Sequence, residues 1–117
     1  DLPRARALAE ESVELGRRIG VPTDLVSAQR ALAHVLLVQE GATAAPAVRA
    51  ALGDAERLID ETGATSLYPL VLLDHAALAL LEGDTGARER ALRQAKRLFA
   101  ALGAPLRVQQ IEALLAG

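Results

Sequence analysis

The chain has 117 residues, 51% of them hydrophobic and 24% charged, with a net charge of −2. That composition excludes a disordered tail and is too evenly charged for general attraction to nucleic acid. With no cysteine in the sequence, a disulfide scaffold, a thiolate zinc site and a cysteine nucleophile are excluded as well.

Aromatic residues are limited to Tyr68 and Phe99. The core must therefore come from Ala, Leu, Val and Ile. Ala and Leu favour helix, whereas strands draw on β-branched and aromatic residues. The expectation is an all-α fold. No Met opens the chain, and no leader-like apolar region follows the charged start. The sequence is expected to be a C-terminal piece of a larger cytoplasmic protein, forming one domain over 1–117. The most apolar stretch, 67–81, contains Pro69, Asp74 and His75 and is read as too short and interrupted to span a bilayer.

Taken in order, the predicted helices run over about 3–19, 24–40, 44–62, 67–82, 86–102 and 105–116. Glycines close them: Gly20, Gly41, Gly63, Gly83, Gly103 and Gly117, the first five spaced 20 to 22 residues apart. Glycine enters the left-handed conformation that ends a helix without a Cβ clash. Each of the five prolines, Pro3, Pro22, Pro46, Pro69 and Pro105, falls at or beside a predicted start, where a missing N–H costs nothing. Thr23, Thr43, Ser66 and Asp84 are the candidate N-caps.

Helices 1, 3 and 5 align on their closing glycines. Four residues before each glycine stand Gly16, Ile59 and Phe99, and five before stand Leu15, Leu58 and Leu98. Eight before stand Ser12, Ala55 and Ala95, and eleven before stand Ala9, Leu52 and Leu92. The leucines, Ile59 and Phe99 are expected in the core. Gly16 and Gly53, inside helices, are expected at close helix crossings. The odd helices carry six or seven charges each, the even ones two or three, so the even helices are apolar around more of their surface. The repeat is a helical hairpin of 40 to 43 residues, present three times. One hairpin cannot bury both faces, and stacking covers the rest. The expected fold is an α-solenoid of three antiparallel hairpins.

The stretches "ARALAEESVELGRRIG", "AALGDAERLIDETGA" and "RERALRQAKRLFAALGAPLRVQQIEALLAG" carry this pattern. They resemble the tetratricopeptide-like, MalT-like helical arrays of large bacterial signalling ATPases, LuxR-type regulators and adenylate/guanylate cyclase-associated proteins. The resemblance implies a tetratricopeptide-like interaction or signal-relay scaffold that binds proteins, peptides or neighbouring domains. A homodimer and a small-molecule effector domain stay open beside it.

Chemistry is sparse. His34 and His75 lie on different helices without a second His at i+4, and no serine sits in a nucleophile-elbow context. The "GDTG" turn at 83–86 lacks the Lys-Ser/Thr of a phosphate loop. Catalytic, cofactor and metal residues are therefore expected to be none, and the reading is non-enzymatic. Two candidate contact surfaces remain. Helix 5 carries Arg88, Arg90, Arg93, Lys96 and Arg97 against Asp84 and Glu89, an excess of three positive charges. Its strip of Arg90, Arg93 and Arg97 either meets an acidic partner or balances helix 3, which has an excess of two negative charges. On helix 4 a wheel puts Leu70, Leu73, Ala77 and Leu81 toward the core. Val71, His75 and Leu78 then face outward as a contact strip, unless helices 2 and 6 cover them.

Overall fold

A computed structural model describes the backbone of residues 2–19 and 22–117 and the side chains of 2–15 and 25–117. Among these residues the fold is all-helical, without a strand. The elements are α1 (Leu2–Ile19), α2 (Pro22–Glu40), α3 (Ala45–Thr62), α4 (Tyr68–Glu82), α5 (Thr85–Ala101) and α6 (Pro105–Ala116). Short 3-10 turns, Gly41–Ala44 and Thr65–Leu67, lead directly into α3 and α4. Because α2, the first turn and α3 follow without a break, the described residues form five uninterrupted helical runs. Every helix end lies within two residues of the sequence expectation.

The punctuation works as its chemistry requires. Gly83 and Gly103 have φ of 75° and 73°, the left-handed region. After α4, the Asp84 N–H donates to the Ala79 carbonyl at 2.9 Å and the Gly83 N–H to Leu80 at 3.2 Å. After α5, Ala104 donates to Phe99 at 3.0 Å and Gly103 to Ala100 at 3.1 Å. These paired bonds satisfy carbonyls the helix leaves open. Pro69 sits second in α4, at the helix start where it is expected, and leaves the helix continuous. The runs Leu25–Thr62 and Thr65–Glu82 have the length and mean hydropathy, 1.2, that a membrane crossing needs; in the first of them the chain turns at Gly41.

Among the described residues, one candidate N-cap acts as one. The Asp84 carboxylate accepts from the Ala87 N–H at 3.0 Å. Thr43 instead donates its hydroxyl to the Glu40 carbonyl at 2.6 Å, and Ser66 lies within a 3-10 turn. Ala44 and Leu67 occupy the cap positions of α3 and α4 without a side-chain bond. The side chain of Thr23, and Gly20 altogether, lie outside the described residues.

The chain divides into two compact units, Asp1–Thr65 and Ser66–Gly117, with the boundary inside the second predicted hairpin. In the first, α1 packs on α2 and α2 on α3. Val13, Leu25 and Ala28 form a buried cluster there, backed by Leu32 and Leu58. In the second, α4 and α6 each pack on α5. Its core is Leu72, Ala76, Leu92, Ala95, Phe99 and Ile111.

The glycine alignment places the core face correctly at three offsets in α3 and α5, and in α1 at the eleventh position before the glycine. Ala9, Leu52, Ala55, Ile59, Leu92, Ala95 and Phe99 are all buried. Separations of three and four residues keep those positions on one side of a helix. The leucines five before each glycine sit about 100° further round. Leu58 and Leu98 are accordingly half-buried, and Leu15 is 56% exposed, so the expectation of a buried Leu15 is corrected. Ser12 is exposed too. A Cβ added to Gly53 would meet nothing within 4 Å, so no helix crosses closely there. The side-chain side of Gly16 lies outside the described residues.

Candidate interaction grooves

The expected contact strip on α4 does not exist as a surface. Val71 is 0% and Leu78 2% exposed, so both belong to the interior, and His75 is half-buried. On the side assigned to the core, Ala77 and Leu81 are exposed, while Leu70 and Leu73 pack against the Phe99 cluster. The orientation of α4 is thus largely the reverse of the one drawn from the wheel. α4 carries two charges in fifteen residues and is apolar nearly all round. For such a helix the pattern gives no unique inward direction, and its neighbours decide it.

On α5, Arg90, Arg93 and Arg97 are exposed. Arg93 is tied to Glu89 one turn back, with Nη2 2.6 Å and Nε 3.0 Å from the same carboxylate oxygen. An exposed pair of this kind contributes a few tenths of a kcal/mol. It also lowers the net charge that Arg93 offers a partner.

Two grooves between helices lie elsewhere, at positions that the sequence reading does not single out. In the first unit a trough of about 350 Å³ runs between α1 and α3 over α2. One wall is Arg6, Glu10, Val13 and Glu14, and the other is Ala47, Ala50, Ala51 and Asp54. Gln29, Leu32 and Leu36 of α2 form the floor. Each set follows helical spacing, so the trough is a seam between parallel stripes. Alanines keep one wall low and carboxylates line the rim. Arg6 is held in place by Glu10 at 3.1 Å and by Glu40 at 2.9 Å, which links α1 to the end of α2. Asp54 pairs with Arg57. Gln29 is only 2% exposed, a buried amide at the base of the trough.

No protein-family model, no curated protein and no solved structure matches this chain.

The second groove, about 290 Å³, belongs to the second unit. Its walls are Leu73, Ala76, Ala77 and Leu80 of α4 and Arg107, Gln110, Ile111 and Leu114 of α6. Its floor is Arg88 and Leu92 of α5. It is almost wholly apolar, and its only charged lining residues are the two arginines. The Arg107 guanidinium also lies over the Phe99 ring, 5.7 Å from its centroid. Among the described residues no three His, Asp or Glu side chains converge to hold a metal ion.

Sequence reasoning overlooked both grooves because each lies between helices that are not consecutive. The available signal was the matched i, i+3, i+4, i+7 stripes on 73–80 and 107–114.

Proposed function

We propose that this chain is a non-catalytic protein-interaction module, a tetratricopeptide-like stack of helical hairpins serving as a signal-relay scaffold in a multidomain bacterial regulator. The trough between α1 and α3 carries this reading. Its two walls and floor each run for about two helical turns, or roughly 10 Å of helix length. It is open along one side. A long open seam whose floor joins two leucines to one amide suits an extended or helical peptide better than an enclosed effector. Glu10, Glu14 and Asp54 against Arg6 give the rim an acidic excess, so the favoured partner segment carries basic residues around an aliphatic anchor. Neighbouring domains of the same protein can supply such a segment, and the cytoplasm is the proposed setting.

The test is direct. Peptides selected on the chain from an unbiased display library are measured against wild type and Ala50→Arg. Ala50 is exposed on the low wall, so the change fills the trough while the fold is kept. At least a tenfold loss of affinity, with enrichment of Lys or Arg in the selected peptides, is expected. Peptides that bind both proteins equally well would remove the trough from the function.

A further inference from the structure

We infer that the α4/α6 groove receives α1 of a second copy of this chain, giving self-association through a helix-in-groove contact. The inference rests on reading the chain as an interaction module and names one partner for it. The groove is built for a helix. α4 and α6 pack on α5 and not on each other, which leaves a trough floored by Leu92. Both walls show residues at i, i+3, i+4 and i+7, the spacing with which one helix seats against another. Leu80 and Leu114 stand at its edges, 61% and 47% exposed. Arg88 and Arg107 are charged, and no acidic side chain lines the groove.

α1 presents the complementary surface. Ala9 and Val13 face its own unit and are buried. Leu8 and Leu15, 53% and 56% exposed, point away from that core. With Glu11 and Ser12, both exposed, they form another i, i+3, i+4, i+7 stripe: two leucines a double turn apart with a carboxylate between them. Arg4 lies one turn outside it. Leu8 to Leu15 spans roughly 10 Å of helix, the same as Leu73 to Leu80 and Arg107 to Leu114. The units differ in sign as well. The first has seven basic and ten acidic residues, the second six and five. The two patches lie on different units, so each copy has one donor helix and one free groove. The contact pairs two different patches, so it forms either as a reciprocal two-fold pair or as a head-to-tail array. Neither patch lines the α1/α3 trough, apart from sharing α1, so the two sites are separable.

The experiment uses the 117-residue chain and two double variants. Leu80→Glu with Leu114→Glu blocks the groove, and Leu8→Glu with Leu15→Glu blocks the helix. All four positions are exposed, so wild-type helix content is expected by circular dichroism. In sedimentation, wild type is expected to grow with concentration above its 12.3 kDa monomer mass. Added salt should weaken that growth, because exposed charges are screened. Each variant alone should stay monomeric, and an equimolar mixture should form a heterodimer, since it restores one intact groove and one intact helix. A wild-type chain that stays monomeric to about 1 mM, the weak end of specific binding, overturns the inference. Association that survives both blocks overturns it, as does a mixture that stays monomeric. A monomeric wild type that binds dodecanoate, with binding lost on blocking the groove, assigns the groove to a small amphiphile and likewise overturns it. None of these results touches peptide binding in the α1/α3 trough, which the Ala50→Arg comparison reads separately.

Discussion

Gly53 occupies the middle of α3 with open space where a side chain would stand. A glycine in a helix interior costs about 1 kcal/mol against alanine, through extra backbone freedom in the unfolded chain. Gly53→Ala should therefore raise stability by about that amount in urea melts; a loss would mean that α3 is approached more closely than the structure has it. Asp84 behaves oppositely. Its carboxylate satisfies one of the free N–H groups of α5, so Asp84→Ala should cost about 1 kcal/mol, and Asp84→Asn much less. Equal losses for the two would show that charge rather than capping matters there. The two residues also differ in how far the sequence reveals them. A Gly-Asp pair between two helical patterns announces a stop and a start. An interior glycine announces only that something is unusual, and here it packs against nothing.

Among the elements, α4 separates what sequence can and cannot determine. Its ends are legible because Pro69 and Gly83 are local signals whose physics needs no knowledge of neighbours. Its orientation is not, because leucines, valine and alanines surround it almost completely and only packing selects the inner side. The same reason moves Leu15 outward. The alignment on glycines identifies the right face for α3 and α5, but α1 packs on α2 and, among the described residues, buries only Ala9 and Val13. The corrected orientation has a consequence that stability measurements can read. Val71→Glu or Leu78→Glu should each cost several kcal/mol, on the order of 3–5, because each leaves a cavity or strain and forces a carboxylate into the interior. Leu80→Glu and Leu81→Glu, on the exposed side, should change stability by no more than about 0.5 kcal/mol. Chemical denaturation followed by circular dichroism distinguishes the pairs, and the reversed order of effects would restore the strip that the helical wheel drew. Phe99, the buried aromatic ring of the second core, offers a parallel check. Phe99→Ala should cost roughly 3–5 kcal/mol, and a loss below about 1 kcal/mol would place the ring outside the core.

For the whole molecule, local punctuation settles that the chain is helical and where the helices end, while the useful surfaces come from pairs of helices separated in sequence. The trough joins α1 to α3, and the apolar groove joins α4 to α6. Neither can be seen by reading one helix at a time, and neither coincides with the basic strip of Arg90, Arg93 and Arg97. The proposed function accordingly rests on seams between helices. Amide hydrogen exchange of the 117-residue chain, with and without a selected basic peptide, tests that claim most directly. Bound peptide should slow exchange in three separate segments, 6–14, 29–36 and 47–54, which only the trough brings together. Protection confined to one of those segments, or centred on 90–97, would contradict the account.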